Sequence, residues 1–163
     1  ELKLLNTGGG FPAYHGNDVP SVEKIYRTVF KGITELFPPN LALEAEPGRS
    51  LVADAGVLIG SVQGKAQRDG ENWLYLDIGV FNGLMESVGK IPYEFTPLVN
   101  HGNDYVKWTL AGPSCDSFDV IATDISLPDL AVGDKLLISP GGAYTTAYAS
   151  SFNGVPIPSV IVV

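Results

Sequence analysis

The chain has 163 residues, 45% of them apolar and 17% charged, enough material for a sizeable core and for one domain or one and a fraction. Eighteen acidic against ten basic residues leave a formal charge of -8, which argues against a nucleic-acid partner and suits a cationic ligand. A single cysteine excludes an internal disulfide, His15 and His101 lie too far apart for a zinc motif, and no apolar run nears the roughly 20 residues of a membrane helix, so the expectation is a cytoplasmic protein with no metal and no membrane contact.

The chain opens on "LKLLNT" (2–7), which reads as a buried strand with neither a leader nor an initiating methionine before it. This opening predicts a piece of a longer polypeptide. A glycine turn, "GGGFP" (8–12), follows, and then a helix over Ser21 to Phe37. Val22, Ile25, Tyr26, Val29, Phe30, Ile33 and Phe37 recur at the three-and-four spacing of one helical face, with Pro20 before it and Pro38-Pro39 after it. The next segment, "LALEAEPGR" (41–49), reads as a second strand and a turn; strand, helix, strand in this order implies parallel pairing.

From Val57 the texture changes to strands separated by turn residues. "VLIGSVQGKAQ" (57–67) and "NWLYLDIGVF" (72–81) flank the hairpin signal "RDGE" (68–71). Further strands are predicted at "YEFTPLV" (93–99), "YVKWTLAG" (105–112), "FDVIATDI" (118–125), "DKLLISP" (134–140) and the terminal "PSVIVV" (158–163). This part reads as an antiparallel β-domain, and the chain divides at 1–56 and 57–163.

Four stretches carry candidate chemistry. Gly8, Gly9 and Gly10 strip the first turn of Cβ atoms, so its N–H groups can cradle a phosphate, although a merely flexible turn has the same composition. In "EAEPGRS" (44–50), Gly48 permits close backbone approach, Arg49 offers a forked donor, and Glu46 sets a carboxylate nearby; a structural Glu46–Arg49 ion pair is the competing reading. If both strands end on one rim of a parallel barrel, these loops are neighbours where such barrels hold their sites. In "GPSCDSFDV" (112–120), Cys115 lies in a loop beside Asp116, either an inert thiol or a tuned one. In "GGAYTTAYASSFNG" (141–154), small residues allow tight packing and Tyr144 supplies a hydroxyl.

"GGGFP", "EPGR", "GPSCDSFDV" and "GAYTTAYASSFNG", in this order and spacing, resemble the pyridoxal-phosphate-dependent ornithine/lysine/diaminopimelate/arginine decarboxylases of the alanine racemase fold type, most of all bacterial ornithine decarboxylases. The resemblance runs over nearly the whole chain. It implies an α/β plus all-β fold: residues 1–56 as the last part of a (β/α)8 barrel that binds pyridoxal 5'-phosphate, then a C-terminal antiparallel β-domain over 57–163. It further implies Gly8, Gly9, Gly10, Gly48, Arg49 and the Tyr144 hydroxyl at the phosphate, Glu46 at the protonated ring nitrogen, and Cys115 as the proton donor to the carbon that loses CO2. Asp116, with Glu86 and Phe152, is expected at the substrate. Some family members carry an aspartate for the distal amine at a place that falls near Lys90 here, with Glu86 the nearest acid. "FNGLMES" (81–87) resembles bacterial ornithine decarboxylases that carry a glutamate there, a solvent-facing Glu86 being the competing reading.

The family's Schiff-base lysine precedes the matched region. None of Lys3, Lys24, Lys31, Lys65, Lys90, Lys107 and Lys135 stands in a matching context. The implied partners are therefore the N-terminal part of the same enzyme, bearing that lysine, and a second subunit whose site the Cys115–Asp116 loop completes. L-Ornithine, then lysine, is the expected substrate. The alternatives are a decarboxylase for another amino acid or a carrier-bound one, and a non-catalytic homologue that resembles antizyme inhibitors.

Overall fold

A computed structural model describes residues 2–99, 102 and 104–163; His101 lies outside them. The first unit is β1 (Leu4–Asn6), α1 (Val22–Leu36) and β2 (Ala42–Glu44). β1 and β2 pair in parallel, Leu5 opposite Leu43 and Asn6 opposite Glu44, as the strand–helix–strand order requires. Both strands thus end on the same edge, and that edge carries the glycine turn and the "EPGR" loop.

The helix forms one residue inside the predicted limits at each end. The Ser21 hydroxyl caps it by accepting from the Lys24 N–H at 3.2 Å, and the chain leaves in extended conformation at Phe37, ahead of Pro38-Pro39. None of its residues is buried, and Val22, Tyr26 and Phe30 of its apolar face are exposed. After β2 come α2 (Arg49–Val52) and a 3-10 turn, Ala53–Ala55.

The second unit is a six-stranded sheet made of β3 (Leu58–Arg68), β4 (Glu71–Leu76), β5 (Glu94–Pro97), β6 (Tyr105–Ala111), β7 (Val120–Pro128) and β8 (Lys135–Ser139), in the spatial order β5-β8-β3-β4-β6-β7. β3 and β4 form the hairpin expected from "RDGE": Arg68 faces Glu71, and Asp69 and Gly70 have φ of 51° and 86°, the left-handed pair of a type I′ turn. Alternate residues face one core, in which Val62, Leu74, Leu76, Leu110, Leu127, Leu136 and Ile138 are sealed from solvent. On the opposite face Trp73 stacks on Tyr75 at 6.2 Å, with the Arg68 guanidinium over the indole.

Three expectations need correction. The sheet is mixed: four pairings are antiparallel, but β4 and β6 run parallel, because the chain returns through the turn at Met85–Gly89 and through β5 before it re-enters beside β4. The terminal "PSVIVV" forms no strand; Val160 to Val163 are exposed and pair with no edge among the described residues, and β-branched sequence without a neighbouring strand has nothing to bond to. "NWLYLDIGVF" also stops early, at Leu76, where the Asn82 side chain accepts from the Gly79 N–H at 2.7 Å and folds the chain into a turn. Among the described residues no helix is long and apolar enough to cross a membrane.

The two units are fastened together by several contacts. Gly141 N–H donates to the Gly56 carbonyl at 2.7 Å and Gly142 N–H to that of Ala53 at 2.9 Å. A Cβ on Gly142 would collide with the Val52 carbonyl, so only glycine permits this approach. Beyond the glycine turn, Tyr14 donates to Glu94 Oε1 at 3.1 Å and His15 Nδ1 donates to the Pro92 carbonyl at 3.0 Å, which ties the exit of that turn to the sheet.

Candidate active site

The site grows from the shared edge of β1 and β2. Asn6, the last residue of β1, accepts from the Gly8 N–H at 2.7 Å through Oδ1 and donates to Glu46 Oε1 at 2.7 Å through Nδ2. One side chain therefore closes the glycine turn and aims the carboxylate. Gly8 and Gly10 have φ of 73° and 79°, and Glu46 N–H donates to the Gly8 carbonyl at 2.8 Å. A Cβ at Gly9 would lie 2.5 Å from the Glu46 carbonyl oxygen, so the turn and the "EPGR" loop touch backbone to backbone.

Opposite this edge stands Tyr144, presented by the loop after β8 that Gly141 and Gly142 anchor. Its hydroxyl lies 2.6 Å from the position a Cβ on Gly48 would occupy, and the Arg49 guanidinium stacks on its ring at 4.8 Å. Arg49 Nη2 pairs with Glu86 Oε2, the two side chains being 19% and 13% exposed. Nη1 of Arg49 is buried and has no hydrogen-bond partner among the described residues. The Glu46–Arg49 ion pair does not form: Glu46 is held by Asn6, and Arg49 is held by Glu86.

Tyr93, 7% exposed, lies close enough to feel both charges of that pair. Burial, reinforced by the Glu86 carboxylate and opposed by Arg49, pushes its phenol up to about 12, so it is a neutral donor at any physiological pH. Its hydroxyl and the neighbouring His15 Nε2 are likewise buried without partners; the two rings meet edge to face at 6.3 Å.

Cys115 lies in a second cluster. It is exposed, with φ of 58°, in the loop between β6 and β7. Asp119, 2% exposed, shapes that loop by accepting from Val80 N–H at 2.7 Å and Ser114 N–H at 2.9 Å. A Cβ on Gly112 would strike the Asp119 carboxylate, which is why the loop opens on Gly-Pro. Asp116 Oδ1 accepts from Phe118 N–H at 2.8 Å and is otherwise in solvent. Asn153 donates to the Ser114 carbonyl at 2.7 Å and lies 3.7 Å from Cys115 Sγ; Phe152 beside it packs on Phe81 at 4.5 Å.

The structure therefore gathers Gly8, Gly9, Gly10, Glu46, Gly48, Arg49, Glu86 and Tyr144 on one edge, and Cys115, Asp116 and Phe152 on another. Among the described residues no hydrogen bond or ion pair runs from the Cys115 loop to Glu46, Arg49, Glu86 or Tyr144. Sequence reasoning missed Asn6, Tyr93, Asp119 and Asn153. Asn6 carried a readable signal, an Asx residue two positions before a glycine at a strand end; the other three act through folding alone. No group of three or more potential metal ligands occurs among the described residues.

The donor set suits a phosphorylated pyridine aldehyde. A Cβ-free turn and an orphaned buried guanidinium nitrogen fit the phosphate, and a fixed carboxylate fits a protonated ring nitrogen. The lysine/ornithine decarboxylase of Selenomonas ruminantium is 34% identical over 99% of this chain, and the diaminopimelate decarboxylase of Bacillus subtilis 32% over 99%. The crystal structure of lysine/ornithine decarboxylase complexed with cadaverine from Vibrio vulnificus superposes with a TM-score of 0.85 at 35% identity over 95% of the chain. The chain spans about two fifths of each: 41%, 38% and 42%. Residues 17–142 match the model of the pyridoxal-dependent decarboxylase C-terminal sheet domain, and the chain belongs to that family.

Proposed function

We propose that the chain is the C-terminal part of a pyridoxal-phosphate-dependent decarboxylase of basic amino acids, which converts L-ornithine, and lysine next, into the diamine and CO2. The observation that carries the reading is the setting of Arg49: its guanidinium stacks on Tyr144 and pairs with Glu86 with one buried donor unspent, while the loop that carries it meets the Gly8–Gly10 turn backbone to backbone. Residues 1–56 serve as the last part of the barrel and 57–163 as the sheet domain. The lysine that binds the cofactor aldehyde belongs to the preceding part of the polypeptide.

Bound pyridoxal phosphate supplies an electron sink for the pair left behind by the departing CO2. Gly8, Gly9, Gly10, Gly48, Tyr144 and Arg49 hold its phosphate. Glu46, aimed by Asn6, keeps a proton on the ring nitrogen, since a carboxylate at hydrogen-bond distance stabilises the charged form. Glu86 receives the far ammonium group of the substrate. Cys115 Sγ delivers a proton to the carbon that has lost CO2, and Asp116 and Phe152 line the substrate beside it. Within one chain no hydrogen bond or ion pair among the described residues joins the Cys115–Asp116 loop to Arg49, and the reading assigns that loop to the site of a second subunit in a homodimer.

The test is CO2 release by the full-length enzyme with pyridoxal phosphate, given ornithine, lysine, arginine and diaminopimelate in turn. The expected kcat/KM order places ornithine first and lysine second. Activity on diaminopimelate alone would overturn the substrate, and no release from any of them would overturn the function.

A further inference from the structure

Arg49 and Glu86 are each assigned above to a different ligand, yet they are each other's partner. The guanidinium spends Nη2 on Glu86 Oε2 and keeps Nη1 buried and unpaired, while Glu86 Oε1 receives no donor among the described residues and is not among the sealed polar atoms. The pair therefore leaves a hydrogen-bonding group unspent at each end, a buried donor nitrogen on Arg49 and an acceptor oxygen on Glu86. Its side chains are mostly out of water, where screening is weak and a change of charge at one end is felt at the other.

We propose that the Arg49–Glu86 pair couples two ligands of opposite charge: an anion on Arg49 Nη1 makes Glu86 Oε1 a stronger site for a primary ammonium group, and the ammonium group in turn strengthens the anion. This rests on the proposed function, in which the anion is the cofactor phosphate and the cation is the far end of the substrate. The sign follows from the geometry. Without an anion the guanidinium neutralises Glu86, and a second cation gains little there. An anion at Nη1 offsets the arginine charge, and the carboxylate regains its pull. Tyr93, which feels both charges of the pair, has its phenol pushed up to about 12 by burial and is uncharged at neutral pH, so it does not reverse this balance. Substrate is thereby held tightly only in subunits that already carry the phosphate.

The coupling is read by binding rather than turnover. Full-length enzyme stripped of cofactor is titrated with putrescine by calorimetry at fixed ionic strength, in saturating inorganic phosphate or in chloride. Phosphate should lower the putrescine Kd by about fivefold or more, and putrescine should lower the phosphate Kd by the same factor, since linkage is reciprocal. Glu86→Gln should still bind phosphate and lose the coupling. Equal putrescine Kd in phosphate and chloride, or undiminished coupling in Glu86→Gln, overturns the proposal while leaving the decarboxylase reading standing. Wild-type enzyme that binds neither probe overturns both.

Discussion

Asp116 and Asp119 stand three residues apart and do opposite work. Asp119 is buried and satisfies the Val80 and Ser114 N–H groups; Asp116 is in solvent and caps only Phe118 N–H. Asp119→Ala strands two buried donors at roughly 1–3 kcal/mol each, so unfolding free energy in urea should fall by about 3 kcal/mol. Asp116→Ala should change it by less than ~1 kcal/mol yet suppress activity, and equal stability losses would contradict this division. Tyr93 gives a pH signature. With its phenol raised to about 12 from the ordinary 10, the folded protein keeps a proton that the unfolded chain surrenders, so the stability it contributes is complete below pH 10 and is lost as pH rises toward 12. Tyr93→Phe should flatten that alkaline loss in urea midpoints measured at pH 9 and pH 11.5, and should cost little at pH 7, because the hydroxyl has no partner to lose.

The elements legible in the sequence are those whose signal is local. α1 carried its own cap, its own apolar face and its own prolines, and the Asp69–Gly70 turn was written in two residues. Gly70→Ala places a Cβ at a φ of 86° and should cost about 1–2 kcal/mol in thermal or urea unfolding, while Asp69→Asn, which tolerates the same region, should be near neutral; equal losses would remove the turn assignment. What escaped depends on distant partners. The parallel β4–β6 pair is invisible in either strand, and "PSVIVV" has strand composition but no neighbour to supply a ladder. At the site, the glycines, Glu46 and Arg49 stood out as candidates in short local motifs, whereas Arg49 took Glu86 rather than Glu46 because the Met85–Gly89 turn brings a residue 37 positions away against it.

For the whole molecule, the division of the candidate residues into two clusters predicts complementation between subunits. Arg49→Ala and Cys115→Ala enzymes, each of low activity alone, should on mixing and exchange regain about a quarter of wild-type activity, since random pairing makes half the dimers mixed and each mixed dimer has one intact site. No recovery after demonstrated exchange would place Cys115 in its own subunit's site. The face of α1 that carries Val22, Tyr26 and Phe30 and the residues from Val160 to Val163 leave apolar surface exposed, and the chain spans about two fifths of the relatives it matches. The contact of Gly142 with the backbone of Val52 and Ala53 bears on motion. Main chain rests on main chain there with no side chain between, so the seam has no soft layer to compress or slide. Tyr144 follows two residues later, so its ring stands on a base set by main-chain packing, and Gly142→Ala should displace it together with the seam.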